Sequence, residues 1–199
     1  MSELVLEQRA FAHAARALAA VVARIDGDEW EIEVPAELRW RDAIRTLRDL
    51  VAHHARDDAW VPEVLAGRTL EEVGDRFDGD LLGSDPVRSV AGLAETAIAA
   101  VATADDLSGI VHVSYGDLTT GEYLLHMTIF RGFGAYAIGR LIRVDDALPD
   151  ALVRDLDALV APRADALRAL GVFGPAIAVP ADASAEARLL ALTGRDPRD

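Results

Sequence analysis

The sequence predicts an all-α fold: four long helices in a bundle, a fifth helix, and an irregular C-terminal tail ending in a short helix. Three observations predict it. Apolar residues recur at helical rather than alternating spacing through most of the chain. Alanine, the residue that loses least entropy in a helix, fills the gaps between them. Strand signal is confined to one brief stretch around Ile110, Val111 and Val113. With 199 residues and 51% hydrophobic composition, the chain is long enough for one compact core and too apolar for intrinsic disorder.

The first helix is expected from about Glu3 to Ile25, with Leu4, Phe11, Leu18, Val22 and Ile25 on its apolar side and Asp26-Gly27-Asp28 as its stop. Trp30 to Trp40 reads as a connection around Pro35. The second helix is expected from about Trp40 to Gly67, with Ile44, Leu47, Leu50 and Val51 on one stripe and Pro62 able to kink or split it. Thr69 and Glu72 have capping-box spacing ahead of a short helix. Ser84-Asp85-Pro86 opens the third long helix, which ends near Thr103. The fourth spans roughly Thr119 to Ile142, with Thr119 or Thr120 as cap and Glu122 in its first turn. Leu148-Pro149-Asp150 introduces a fifth helix that Gly171 closes near Leu170, and Ala185 to Leu192 forms the last. No Gly, Pro and Ser-rich linker separates two domains, so residues 1–169 are expected to form the bundle and 170–199 a tail on the same domain.

Composition excludes several functions. A formal net charge of -14 gives no long-range attraction to nucleic acid. Every basic residue is arginine, which removes Schiff-base lysines and the phosphate-loop lysine. The absence of cysteine removes disulfides, thiolate nucleophiles and thiolate metal sites, so any metal must be held by imidazole, carboxylate or water. The first residues carry Glu3 and Glu7 with no basic flank before an apolar run, and no stretch is long and apolar enough to span a bilayer. The expectation is a soluble, cytoplasmic protein with no nucleic-acid or membrane partner.

Chemistry concentrates on two predicted helices. Glu122 and His126 are four apart and project from one face. His53 lies on the second helix with Asp57 one turn beyond it. Imidazole and carboxylate suit zinc and other divalent ions, and a bundle interior is a place where facing helices build such sites. The alternative on the residues alone is ordinary: a first-turn carboxylate and a half-buried histidine. His54 points about 100° away from His53, so only one of the pair faces a small central site. His13 has no evident partner, and His112 belongs to the inter-helix break. Phe130 and Phe133 suit the core, Tyr136 and Arg140 suit a pocket wall that binds a cofactor, and Arg131 and Arg140 each suit either a carboxylate ligand or a solvated or salt-bridged place.

The stretch Leu47-Arg48-Asp49-Leu50-Val51-Ala52-His53, followed by Trp60, Val61 and Leu65-Ala66-Gly67, resembles the metal-bearing second helix of the mycothiol-dependent maleylpyruvate isomerase N-terminal domain. That domain belongs to the DinB-like four-helix bundle superfamily. The run from Leu170 to Asp182 and the segment Arg188 to Pro197 resemble the tail of an actinobacterial branch of the same family.

The resemblance implies a DinB-like bundle holding a divalent metal, typically zinc, through one histidine of the second helix and a carboxylate–histidine pair of a later helix. It also implies mycothiol or another low-molecular-weight thiol as cofactor in isomerase or transferase chemistry on a small organic molecule. His53 matches the first ligand. The later helix departs from the pattern: the family carboxylate falls at Phe130, its histidine at Gly134 and a following aspartate at Ala137. Glu122 and His126 have the right mutual spacing but lie eight residues earlier, ~12 Å along the helix. The sequence therefore leaves three readings: a shifted metal site of His53, Glu122 and His126 oriented by Asp57; a metal-free ligand-binding or regulatory bundle whose metal site has decayed; and a structural homodimer built on the Ala- and Gly-rich helix faces.

Overall fold

A computed structural model describes residues 4–39, 42–144 and 148–197. The chain is mostly helical, as expected, and divides into two compact units, residues 1–146 and 147–199. The division falls earlier than the expected boundary at 169/170, because the fifth helix packs against the last one and shares a unit with the tail.

In the first unit, helix α1 runs Leu6–Val22. The Val5 backbone N–H donates to the Gln8 side-chain oxygen at 3.2 Å. The other end of that amide donates to the Val101 and Ala104 carbonyls at 2.9 and 3.0 Å, tying the start of α1 to a chain segment more than ninety residues away. The predicted start at Glu3 lies outside the described residues. Helix α2 runs Leu47–Leu65 and is capped reciprocally by Thr46 and Asp49. It starts later than expected, since Thr46 pairs with Glu33 in an isolated bridge; the expected start at Trp40 lies outside the described residues. Pro62 neither breaks nor splits α2, which continues to Leu65.

Helix α3 is the short Leu70–Val73 piece with the predicted Thr69–Glu72 box. Helix α4, Pro86–Ala102, has Asp85 as cap and Pro86 in its first turn. Strands β1, Ile110–Val113, and β2, Gly116–Thr119, pair antiparallel, with His112 opposite Asp117. The predicted brief extended piece is thus half of a hairpin. Gly116 sits at φ +136° in its turn, a region other residues rarely adopt. Helix α5, Thr120–Leu141, follows directly from β2.

Helix α1 packs on α5 and α4, and α2 packs on α4 and meets α5. Phe11, Ala15, Val61, Ala97, Val101 and Leu124 belong to one buried cluster among these four helices. Buried alanines at 10, 12, 14 and 15 let neighbouring backbones approach α1 closely, which is where the alanine-rich composition is used. No helix among the described residues is long and apolar enough to cross a membrane.

In the second unit, α6 spans Asp150–Val160, and a 3-10 turn at Ala161–Arg163 separates it from α7, Ala164–Ala169. The expected single fifth helix is interrupted here because Pro162 cannot supply a helical N–H. Helix α8, Ala185–Leu192, packs against α6, and Glu186 accepts a hydrogen bond from the Leu148 N–H at 2.6 Å. The irregular run is held by side-chain and backbone bonds: Arg168 donates to the carbonyls of Gly174 and Leu192. Gly194 lies at φ +83° so close to Gly174 that a Cβ would sit 2.6 Å from its Cα.

Candidate functional site

Helices α2 and α5 meet through side chains whose numbers run in opposite directions. His54 of α2 meets Phe130 and Gly134 of α5, and Asp58, one turn further along α2, meets Arg131. The helices are therefore antiparallel, and their i,i+4 repeats set two facing stripes. An inner stripe joins His54 and Asp58 to Arg131 and Gly134. An outer stripe carries His53 on α2 against Phe130 on α5, with Asp57 and His126 one turn along their own helices.

The His54, Asp58 and Arg131 side chains of the inner stripe are closed to solvent. Arg131 and Asp58 are 0% and 1% exposed. The Arg131 Nε donates to Asp58 Oδ1 at 2.6 Å, Nη2 donates to the same oxygen, and Nη1 reaches the Met127 carbonyl at 3.3 Å. The guanidinium also lies 4.9 Å from the centroid of the Phe11 ring, an apolar partner for a cation that has left water. Burial pushes the Asp58 carboxyl above its ordinary range, and the neighbouring Arg131 charge pulls it back. Arg131, one of the sequence candidates for carboxylate recognition, is thus committed to an internal carboxylate.

His54 is 2% exposed, and its ring lies 4.4 Å from the Phe130 ring at 38°. Its Cε1 and Nε2 fill the space beside Gly134, where an added Cβ would stand 2.8 Å from both atoms. Burial holds its pKa well below the ordinary value of 6.5, and the charges of Arg131 and His53 push it the same way. The imidazole is accordingly neutral at physiological pH.

The outer stripe is half-open. His53 Nε2 lies 3.5 Å from Asp57 Oδ2, and its ring meets Phe130 edge-on with centroids 5.9 Å apart. One turn along, His126 of α5 is half-buried, and the hairpin turn brings Tyr115 over it. The Tyr115 hydroxyl lies 3.4 Å from His126 Nδ1, with the two rings 6.0 Å apart. Burial lowers the His126 pKa, partly offset by Glu122. Burial raises the pKa of Tyr115, and the Asp57 charge raises it further. Tyr123, buried beneath them, is pushed up strongly by burial. Burial thus disfavours the charged forms of both Tyr115 and His126.

The expected metal set does not assemble. Among the described residues no three His, Asp or Glu side chains are grouped to hold a metal ion. Glu122 is occupied at the helix start: it accepts hydrogen bonds from the Thr119 N–H and hydroxyl, both at 2.8 Å, while its own N–H donates to the Thr119 oxygen. Those bonds lower its pKa. His53 sits at the level of Phe130, and His126 one turn away beside Tyr115. His53, Glu122 and His126 are thus corrected from ligands of one metal to a stripe residue, a cap and a second stripe residue. Among the described residues, these side chains are not grouped as the ligands of one zinc ion.

The adjacent histidines also exchange roles. His54 faces inward and His53 lies at the half-open edge, although His53 is the residue that matches the family's first ligand. Tyr136 is half-buried and Arg140 exposed; Arg140 lies ten residues beyond Phe130, ~15 Å along the helix. Neither joins the Tyr115–His126 level, so the expected cofactor wall is not at this site. His112 makes a cross-strand contact with Asp117 at 2.8 Å. The sequence reading missed Tyr115 and Asp58. Tyr115 sits in a turn whose approach to α5 depends on the hairpin, and Asp58 could be singled out only by knowing which of two adjacent aspartates faces inward.

No protein-family model matches the chain, and neither a curated protein nor a solved structure is significantly similar to it.

Proposed function

We propose that this chain is a metal-independent, DinB-like helical bundle that binds a small organic molecule at the outer stripe between α2 and α5. The observation that carries the reading is the half-open edge where His53 meets Phe130 and, one turn away, Tyr115 meets His126, which sets rings beside hydrogen-bonding groups. Apolar and aromatic surface with a few polar groups is the usual lining of a small-molecule site.

The inner stripe supports the DinB-like origin. The family's carboxylate and histidine positions, Phe130 and Gly134, both pack on an imidazole of α2. A phenyl ring and a glycine there replace metal ligation by stacking. The thiol-dependent isomerase reading requires a metal that these side chains do not hold, so binding rather than metal-assisted catalysis is the function best supported.

Ligand-observed NMR with a set of aromatic fragments, run in the presence of a chelator, tests this directly. Binding of some fragments is expected to survive the chelator and to weaken in the Phe130→Ala and Tyr115→Ala variants. Absence of any fragment binding, or binding seen only with added zinc, contradicts the proposal.

A further inference from the structure

Arg56, Trp60 and Glu63 lie four and three residues apart on α2, so they share one side of the helix. Residues 74–83, between α3 and α4, cross that side as a strap. The Phe77 ring meets the Trp60 ring at 68°, with centroids 5.6 Å apart. Arg56 grips the strap at the same point: its Nε donates to the Phe77 carbonyl at 3.2 Å, its Nη2 donates to the Asp78 carboxylate, and its guanidinium lies 5.8 Å from the Trp60 centroid. Arg76 of the strap donates in return to Glu63 of α2. Two turns before Arg56, Arg48 donates to Asp80 at 3.3 Å and to the Gly83 carbonyl at 3.2 Å.

The strap is anchored at its ends and lightly held between them. Val73 and Leu82 are 6% and 0% exposed. Beside each anchor stands a glycine at positive φ, Gly74 at +62° and Gly83 at +57°, where the backbone can turn without a side-chain clash. Between the anchors only Phe77 and Leu81 are half-buried, and the rest is exposed. Among the described residues no backbone–backbone hydrogen bond ties residues 75–83 to a helix or strand. Arginine–carboxylate pairs at the solvent boundary and one ring contact hold the middle, and exposed ion pairs are weak and screened by salt. The Trp60 indole N–H is buried with no acceptor among the described residues, an arrangement that contact with water would relieve.

We propose that residues 74–83 form an ionic-strength-sensitive strap. It is closed over Trp60 while the arginine latches are made, and it lifts about the Gly74 and Gly83 hinges when they are screened, with the helices intact. Arg56 is the principal latch, because it holds strap backbone and strap carboxylate where Phe77 meets Trp60. Lifting uncovers one face of Trp60 and releases Arg56 beside it. The strap shares no residue with the outer stripe, so it works whether or not that stripe binds a ligand.

Trp60 fluorescence reads the two states in the full chain carrying Trp30→Phe and Trp40→Phe, through quenching by neutral acrylamide. Raising sodium chloride from about 0.01 M to about 1 M shortens the Debye length from about 30 Å to about 3 Å. The quenching constant is expected to rise by about twofold over that range, with far-UV circular dichroism unchanged. Arg56→Gln and Asp78→Asn should each start near the high-salt value and respond weakly to salt. Phe77→Ala gives the uncovered limit at each salt concentration. Arg16→Gln, which breaks an exposed pair with Glu95 between α1 and α4, should follow the native chain.

Quenching that salt, Arg56→Gln and Asp78→Asn all leave unchanged overturns the proposal. So does a rise that Arg16→Gln reproduces at low salt, or one that accompanies loss of helix. Quenching in Phe77→Ala no greater than in the native chain shows that the strap does not cover Trp60, and overturns it as well.

Discussion

The His54 imidazole occupies the space that any side chain at position 134 would need, with two of its ring atoms 2.8 Å from where a Cβ would stand. The two positions are therefore coupled across the α2–α5 contact. A glycine inside a helix costs ~1 kcal/mol relative to alanine, so Gly134 is retained against local propensity. Gly134→Ala in the native background is expected to destabilise the protein, since overpacking costs about 1–3 kcal/mol. In a His54→Ala background the same substitution should stabilise it by about 1 kcal/mol. Urea denaturation of the four members of this cycle measures the sign change; an identical effect of Gly134→Ala in both backgrounds contradicts the packing.

The Asp58–Arg131 pair makes a different kind of link between the same helices. Removing the carboxylate leaves a guanidinium at 0% exposure without its counter-charge. Asp58→Ala is expected to cost about 3–5 kcal/mol, whereas the double variant Asp58→Leu with Arg131→Met should recover most of that loss. Strict additivity of the two single changes would show that the charges do not interact.

Acidification should weaken the fold first through imidazole, before the carboxylates titrate. The folded His54 pKa lies well below 6.5, so its contribution is present above the ordinary imidazole value and is lost as pH falls toward the folded one. In that window the unfolded chain binds a proton that the folded chain excludes, giving a slope of up to about 1.4 kcal/mol per pH unit per proton. His126, also depressed, acts in the same direction. Asp49, Glu72 and Glu122, whose pKa values are lowered by cap hydrogen bonds, lose their contributions only at more acidic pH. Stability measured between about pH 5 and 6.5 should fall less steeply in His54→Leu than in the native chain. An unchanged slope would contradict the buried neutral imidazole.

Glu122 serves the helix rather than a ligand. Thr119→Ala and Glu122→Ala should each lower stability by about 1 kcal/mol, the usual value of a capping residue. Thermal or urea unfolding checks this, and a Glu122→Ala variant as stable as the native chain would count against the cap.

Much of this was legible in the sequence. The Thr119–Glu122 box, Pro86 in a first turn and the apolar repeats of α1, α4 and α5 act locally, so spacing alone locates them. The α6–α7 break at Pro162 was legible in principle, since proline cannot donate the helical hydrogen bond, but the apolar repeat runs through it and hides it. The site was less legible because it depends on rotation and register between α2 and α5. His53 and His54 are adjacent, and only packing decides which faces inward. The same holds for Asp57 and Asp58, one at the half-open edge and the other sealed against Arg131. Glu122 carried the right spacing to His126 for a metal pair and the right spacing to Thr119 for a cap. The hydrogen bonds at the helix start show the second use.

Metal content gives the most direct test that this site works without an ion. The protein, purified without a histidine tag, would be incubated with zinc, desalted and analysed for metal per chain alongside the His53→Ala, Glu122→Ala and His126→Ala variants. The expected result is substoichiometric zinc in all four, unaffected by the substitutions. One zinc per chain in the native protein, lost in each variant, would contradict the account and restore a three-ligand metal centre.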